Sequence, residues 1–210
     1  MPLMKRLSFL FILAICALAV AAQDVVRVNY RGSRPTIRDF AVAYLSTFPG
    51  ADEVEEGEQE GLRLLDDMKA ALARQSKGQP LDKSETLTID QQNGFLLYQQ
   101  RHDDYSTKIE LCFWNESDGK HKLVACYREY SEGGRDESDG LIFFRYNNAT
   151  KEMTRCMNED LGIYGKYIDG YDLISYSLPR KGKDIIVTSW KTSSDKKQTR
   201  LKWNGRRFTR

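Results

Sequence analysis

The feature that most constrains the fold is a change of apolar periodicity near residue 84, after which short alternating runs continue almost to the C-terminus. Ile109, Leu111 and Phe113 alternate with polar neighbours, as expected of a strand with one buried face. Turn sequences rich in Gly, Asn and Asp separate the runs, which favours antiparallel hairpins over βαβ units. The predicted strands are Glu85–Ile89, Phe95–Gln100, Lys108–Trp114, Lys122–Tyr130, Leu141–Tyr146, Glu152–Met157, Tyr171–Leu178, Ile185–Trp190 and Thr199–Trp203, with a last hairpin into Phe208.

Two amphipathic helices are predicted before these strands. Thr36 and Asp39 have the spacing of a capping box, and the apolar stripe that follows ends at Pro49-Gly50. A second stripe predicts a helix from about Glu58 to Gln75. The sequence therefore predicts an α+β fold, with two N-terminal helices packed on a predominantly antiparallel meander sheet or plugging one side of an incomplete barrel.

The N-terminus has the pattern of a secretory signal peptide. Two basic residues precede the apolar run Leu7–Val20, and small residues follow it up to Ala22. The apolar run has about 14 residues, fewer than the ~20 needed to span a bilayer. We therefore predict cleavage between Ala22 and Gln23, a secreted or periplasmic (cell-envelope) location and no integral membrane segment after cleavage. Residues 23–210 are predicted to form a single α+β domain, helical over about 34–78 and β-rich over about 84–210.

The charge balance argues against a general nucleic-acid binder. The chain has 32 Lys and Arg and 30 Asp and Glu. The predicted signal peptide holds two of the basic residues and no acidic one, so the mature chain is formally neutral.

Two segments carry strong local charge. Six acidic residues lie between Asp52 and Glu60, where we predict a solvated loop in preference to a cation site. Residues 180–210 contain eleven Lys and Arg but only Asp184 and Asp195 as acids. We interpret this stretch as a solvated face that balances the acidic segment, and the alternative is a surface for an anionic glycan or an acidic partner.

No catalytic or cofactor signature is present. The chain lacks the sequence patterns of nucleophile elbows, zinc proteases, phosphate-binding loops and dinucleotide sites. His102, followed by Asp103 and Asp104, is predicted to lie in a polar loop, with a base or metal role as the alternative. His121 follows a turn and is predicted to be exposed. We therefore predict no catalytic residue, no metal and no cofactor.

One segment has the composition of an adaptable binding loop. Tyrosines alternate with Gly162, Gly165 and Gly170, and tyrosine gives a large contact area at low entropic cost. The alternative is a loop whose tyrosines cover the edge of the sheet. The predicted ligand-binding residues are Tyr164, Tyr167, Asp169, Tyr171 and Asp172.

The cysteines leave two alternatives open. Cys112 and Cys126 flank the turn at 116–120, and export would permit a disulfide between them, leaving Cys156 free. A three-residue turn would place both on one sheet face as diagonal neighbours, whereas a two-residue turn would place them on opposite faces. In the other alternative all three are buried small hydrophobic residues.

The signal peptide with Gln23 after the cleavage site, together with the closing hairpin 201–208, resembles small exported Bacteroidetes proteins of unknown function. This resemblance implies a periplasmic or surface location and transfers no active site. The most consistent function is a non-catalytic ligand- or protein-binding module of the cell envelope, acting on an unknown protein or glycan. The alternatives are a cell-envelope hydrolase and a secreted inhibitor of a protease or lysozyme.

Overall fold

A computed structural model describes residues 25–53, 59–132, 135–165, 167–171, 173–192 and 194–210, except for the side chains of 59–61 and 132–139. The predicted signal peptide lies outside these residues. No helix in the described ranges is long and apolar enough to cross a membrane.

The central element is a seven-stranded antiparallel sheet. Its strands are β1 (Val25–Arg27), β2 (Glu85–Asp90), β3 (Phe95–Arg101), β4 (Tyr105–Asn115), β5 (His121–Glu132), β6 (Arg135–Asn147) and β7 (Glu152–Cys156). They lie in the order β1-β7-β6-β5-β4-β3-β2. Strands β2 to β7 follow each other as hairpins, so the predicted meander is confirmed.

The remaining strands do not extend this sheet. They are β8 (Leu173–Ser177), β9 (Ile185–Trp190), β10 (Lys196–Trp203) and β11 (Phe208–Thr209). These four form a separate antiparallel sheet of order β11-β10-β9-β8.

The two predicted helices are present as α1 (Ile37–Leu45) and α2 (Gln59–Ser76). The capping box at the start of α1 is confirmed. Thr36 N donates to Asp39 Oδ2 at 2.7 Å, and Asp39 N donates to Thr36 Oγ1 at 3.4 Å.

The helices cover one face of the seven-stranded sheet. Phe40 of α1 makes edge-to-face contacts with Phe113 and Tyr146, at centroid distances of 5.3 and 5.1 Å. Helix α2 adds Leu65 and Met68 to the same core.

The four-stranded sheet covers the other face. Trp114 and Phe143 pack there against Phe208, and Trp114 Nε1 donates to the carbonyl oxygen of Lys183 at 2.9 Å. Strand β5 shows why the large sheet needs a layer on each face, because all residues of Leu123–Tyr127 are buried, with no alternation of buried and exposed side chains. A strand buried on both faces requires a layer on each side. The described part of the chain therefore forms three layers, helices, large sheet and small sheet.

Candidate functional site

A pocket of about 390 Å³ opens on the small-sheet side of the large sheet, near the ends of β5, β6 and β7. In register, Arg145 lies opposite Leu123 on one side and opposite Thr154 on the other. On this face of the sheet, Leu123 and Phe143 are buried and apolar, and the side chains beyond them, towards the pocket, are polar. The residues lining the pocket are His121, Arg145, Asn147, Thr154, Arg155, Cys156, Met157, Asp160 and Leu161.

Arg145 is held in a fixed orientation by Glu116. Glu116 Oε1 accepts a hydrogen bond from Arg145 Nε at 2.8 Å, and the Glu116 side chain is only 8% exposed, against 42% for Arg145. Partial burial lowers the pKa of Arg145, but its bond and charge interaction with Glu116 outweigh this and raise the pKa above its usual value. Within the described residues, no protein acceptor bonds the terminal nitrogens of this guanidinium, so they can donate to a ligand.

His121 is positioned by the turn that precedes it. Asp118 Oδ1 accepts from the backbone nitrogens of Lys120 and His121 at 2.8 and 3.0 Å, and Asp118 Oδ2 lies 2.5 Å from His121 Nδ1. The hydrogen bond from His121, reinforced by the backbone donors, lowers the pKa of Asp118 to about 2. With Nδ1 engaged, Nε2 is the ring nitrogen left for a ligand.

Glu116, Asp118 and His121 also offer potential metal-ligand atoms within 4.8 Å of one another. Both carboxylates already accept protein donors, Glu116 from Arg145 and Asp118 from the turn. The guanidinium beside Glu116 adds a positive charge that disfavours a cation. This trio is therefore better described as the support of Arg145 and His121 than as a metal centre.

No protein-family model matches the chain, and no curated protein or solved structure is significantly similar to it.

Cys156 gives the pocket a thiol but not an activated nucleophile. Burial raises the pKa of Cys156, and the opposing effect of Arg145 does not restore it. A thiol with a raised pKa is protonated at neutral pH and reacts slowly. The pocket thus has the groups needed to bind and orient a polar ligand, while its cysteine is not tuned for covalent catalysis.

Sequence reasoning missed this site because its residues are dispersed. Arg145 lies in the middle of a predicted strand, His121 directly follows a turn, and Asp160 belongs to a short 3-10 helix, Glu159–Leu161. No sequence spacing connects these residues. One signal in the sequence could have indicated the site. Arg145 places a charged side chain on the strand face whose other predicted side chains are apolar.

The tyrosine-rich segment was only partly predicted. Tyr164 is exposed, as a binding loop requires, but Tyr167 and Tyr171 are buried, so these two rings are not available to a ligand. Asp169 is exposed, and Asp172 lies outside the described residues. Because Tyr167 and Tyr171 are buried, the four described residues of this set do not form one exposed binding surface.

The buried tyrosines have structural partners. Tyr167 belongs to the core between the two sheets, and its hydroxyl accepts from the backbone nitrogen of Tyr164 at 2.9 Å. The hydroxyl of Tyr171 donates to Asp195 Oδ1 at 2.8 Å. Alternation along the sequence missed this because the segment packs between layers without forming a strand.

Replacing Tyr167 by alanine is expected to lower the free energy of unfolding by about 2 kcal/mol, since it removes the packing of a buried ring and leaves a cavity. Tyr164→Ala, which removes a ring that is 52% exposed, should change it by less than about 0.5 kcal/mol. Urea unfolding of both variants measures the difference. Equal stabilities for the two would contradict the burial of Tyr167.

The predicted disulfide between Cys112 and Cys126 is not formed. Both cysteines are buried, as expected in the alternative in which the cysteines act as small hydrophobic residues, whereas Cys156 is only half-buried. Cys112 lies opposite Ala125, and Leu111 lies opposite Cys126. The two thiols therefore point to opposite faces, Cys112 into the core between the sheets and Cys126 into the helix-side core. This is the pairing expected for the shorter of the two turns considered.

The loop that contains His102 is confirmed as a hairpin connection between β3 and β4. The imidazole of His102 stacks on Tyr105 at 4.4 Å, and Tyr105 stacks on Tyr130 at 5.5 Å. This exposed stack lies far along the strands from Arg145. It consists of His102 and two tyrosines, so it does not bring the imidazole into contact with a carboxylate.

A buried acidic cluster lies on the small-sheet face of β4 and β5. Lys108 Nζ lies 2.9 Å from Glu129 Oε1 and 3.7 Å from Glu110 Oε1. Tyr127 donates to Glu129 at 2.6 Å, and the backbone nitrogen of Leu178 donates to Glu110 at 2.8 Å. Burial raises the pKa of Glu110, although Lys108 opposes this. Both carboxylates thus accept hydrogen bonds from the protein. The cluster holds Leu178, the residue after β8, against the large sheet.

Proposed function

We propose that this protein is an exported, non-catalytic binding module that captures a small polar ligand through an anionic group held at Arg145. The observation that carries the proposal is the guanidinium of Arg145, oriented by Glu116 through Nε and facing a pocket of about 390 Å³. Arginine presents a planar fork of donors that fits a carboxylate or phosphate.

The other lining groups favour a ligand that is more than a bare anion. Asn147 and Thr154 supply amide and hydroxyl groups, and Asp160 supplies an acceptor at the 3-10 helix. A pocket of this volume with a few convergent polar groups is typical of a small-molecule site. A carboxylated ligand with hydroxyl or amino substituents, such as a hydroxy acid, a uronic acid or an amino acid, fits this set of groups.

Replacing Arg145 by glutamine is expected to weaken binding of such a ligand by about 10- to 100-fold, because a charge-assisted hydrogen bond contributes about 1.5–3 kcal/mol. The ligand would first be found by a thermal-shift screen of hydroxy acids, uronic acids, amino acids and inorganic phosphate. Calorimetric titration would then compare the wild type with Arg145→Gln and with Arg145→Lys, which keeps the charge but not the fork.

A matched control is available at Arg180. Its Nε also bonds a carboxylate, Asp90 Oδ2 at 3.0 Å, but Arg180 does not line the pocket. Arg180→Gln should leave binding unchanged. If Arg145→Gln binds the ligand as tightly as the wild type and Arg180→Gln do, the proposal is rejected. It is also rejected if no anionic ligand in the screen binds.

Export is the second part of the proposal, and it is supported by the signal-like composition of residues 1–22. We expect N-terminal sequencing of the protein from the envelope or medium to begin at Gln23. A chain that retains Met1 would contradict export by this signal.

The hydrolase alternative makes a different prediction. A panel of glycosidase, esterase and peptidase substrates should give no turnover with a binding module. Turnover lost on changing Glu110 or Glu129 would favour the hydrolase, because these are two buried carboxylates that both lie near Lys108 and could act as a general acid and base. The inhibitor alternative would be favoured if the protein suppressed lysozyme or protease activity at stoichiometric amounts.

A further inference from the structure

The outer face of the four-stranded sheet is a regular cross-strand lattice of polar, basic and aromatic side chains. Its rows follow from the registers of β8, β9 and β10. They are Leu173–Trp190–Lys196, Ser175–Thr188–Gln198 and Ser177–Ile186–Arg200. Since Val187 and Leu201 point into the core between the sheets, these alternate residues point away from it.

Strand β10 lines this face with cations. Lys196, Arg200 and Lys202 share its outward side and are all exposed. With a strand rise of about 3.3 Å per residue, they span roughly 20 Å. Among the described residues, their only acidic partner is Asp184, which lies 3.4 Å from Arg200.

More positive charge lies at one end of the same sheet. The β8–β9 and β10–β11 turns lie at the same end, because successive antiparallel strands reverse direction. These turns carry Lys181, Lys183, Arg206 and Arg207, all exposed.

The centre of the face is uncharged, and Gln198 is its exposed hydrogen-bonding residue, since Ser175 and Thr188 are buried. Gln198 Nε2 donates to Thr188 Oγ1 at 3.4 Å, and Trp190 Nε1 donates to Ser175 Oγ at 3.4 Å. Lys196 Nζ lies 4.7 Å from the centroid of the Trp190 ring. An indole, an amide and a row of cations thus lie side by side along two strands.

The two acidic residues of the segment 52–60 whose side chains are described, Asp52 and Glu53, do not neutralise this face. Asp52 and Glu53 lie in the short 3-10 helix that packs against α2 in the helix layer, and the segment 54–58 lies outside the described residues. The large sheet separates the helix layer from the small sheet. The interpretation that the basic stretch balances these two acidic residues by proximity is therefore not supported for the described part of the chain.

We propose that the outer face of β9 and β10 binds a linear anionic polysaccharide. Its carboxylate or sulfate groups pair with Lys196, Arg200 and Lys202, while its hydroxyl groups and ring faces meet Gln198 and Trp190. This surface lies on the small sheet, whereas the Arg145 pocket lies on the large one, so the two proposals stand independently.

The lattice favours a polysaccharide over other polyanions. An acidic protein partner would be expected to bury a larger apolar centre than Leu173, Ile186 and Trp190 provide. Duplex DNA carries about one negative charge per 1.7 Å of its axis, a density that the three cations spread over roughly 20 Å of β10 do not match. A saccharide needs both features of this face, cations for its charges and amide and indole groups for the rest of each unit.

The test is binding of alginate oligosaccharides, which are linear polyuronates, to the wild type and to the triple variant Lys196→Gln, Arg200→Gln, Lys202→Gln. We expect the triple variant to bind at least about 10-fold more weakly, and wild-type binding to weaken by a similar factor when salt is raised from about 50 to 500 mM. Trp190→Ala should weaken binding about 3-fold or more.

The matched control is Lys77→Gln, Lys83→Gln, Arg101→Gln, which removes three exposed cations outside this sheet and should leave alginate binding unchanged. If the test variant is unstable, amide chemical-shift changes in the wild type during titration should map to β9 and β10. The proposal is overturned if alginate does not bind, if the shifts map elsewhere, or if both triple variants lose affinity equally. It is also overturned if poly-L-glutamate or duplex DNA of equal charge binds as tightly, since either result indicates a different class of partner.

Discussion

Replacing Trp114 by alanine is expected to lower the free energy of unfolding by about 3–5 kcal/mol, the range for truncating a large buried aromatic side chain. Trp114 is buried between the two sheets, and its ring contacts Phe143, Trp203 and Phe208. Its indole also donates to the carbonyl oxygen of Lys183, which the variant would leave without that donor. The loss should be measured by urea unfolding.

Two companion variants separate packing from hydrogen bonding. Trp114→Phe keeps most of the ring volume and removes the donor, so it should cost about 1–2 kcal/mol. Trp190→Ala removes a tryptophan from the outer face of the small sheet and should cost much less than Trp114→Ala. If the two alanine variants were equally unstable, Trp114 would not be the central contact between the sheets.

The local parts of the fold could be predicted from the sequence because their causes are local. The start of α1 depends on Thr36 and Asp39, which bond each other across three residues. The strand Ile185–Trp190 was predicted with the same bounds that the structure gives, because its apolar residues lie between clear turns. Such features need no knowledge of what packs against them.

The division into two sheets could not be predicted in the same way. Alternation in β9 shows that Ile185 and Val187 share a face, but not which layer covers that face. The partner is set by the segment between β7 and β8, where Ile163 and Tyr167 are buried without strand periodicity.

The disulfide was predicted wrongly and the pocket was not predicted at all, and the two failures have a related reason. A change of one residue in the 116–120 turn moves Cys126 to the opposite face, and the observed turn is stabilised by Asp118 bonding to Lys120 and His121. The pocket needs Arg145, His121 and Asp160 to be brought together from two strands and a 3-10 helix. Neither result can be read from spacing along the chain.

Gly162 lies between the Arg145 pocket and the core between the two sheets. Its replacement is the second change that is expected to lower the free energy of unfolding strongly. Gly162 ends the 3-10 helix Glu159–Leu161 with φ of 76°, a left-handed conformation that side chains disfavour. A β-carbon there would overlap the carbonyl oxygen of Phe208, which is backbone and cannot rotate away. This contact places Asp160 and Leu161, which line the pocket, against the last strand of the small sheet.

Gly162→Ala is therefore expected to lower the free energy of unfolding by about 2–5 kcal/mol, from the left-handed conformation at about 1–2 kcal/mol and the overlap at about 1–3 kcal/mol. Gly78→Ala is the matched control, because Gly78 has a similar φ of 66° but no atom within 4 Å of the added carbon. It should show only the conformational cost, about 1–2 kcal/mol. Thermal and urea unfolding of the two variants isolate the overlap, and equal losses would show that the chain relaxes around Phe208 without resistance. Because the strain lies beside Asp160, Gly162→Ala should also weaken ligand binding at Arg145, whereas Gly78→Ala should not.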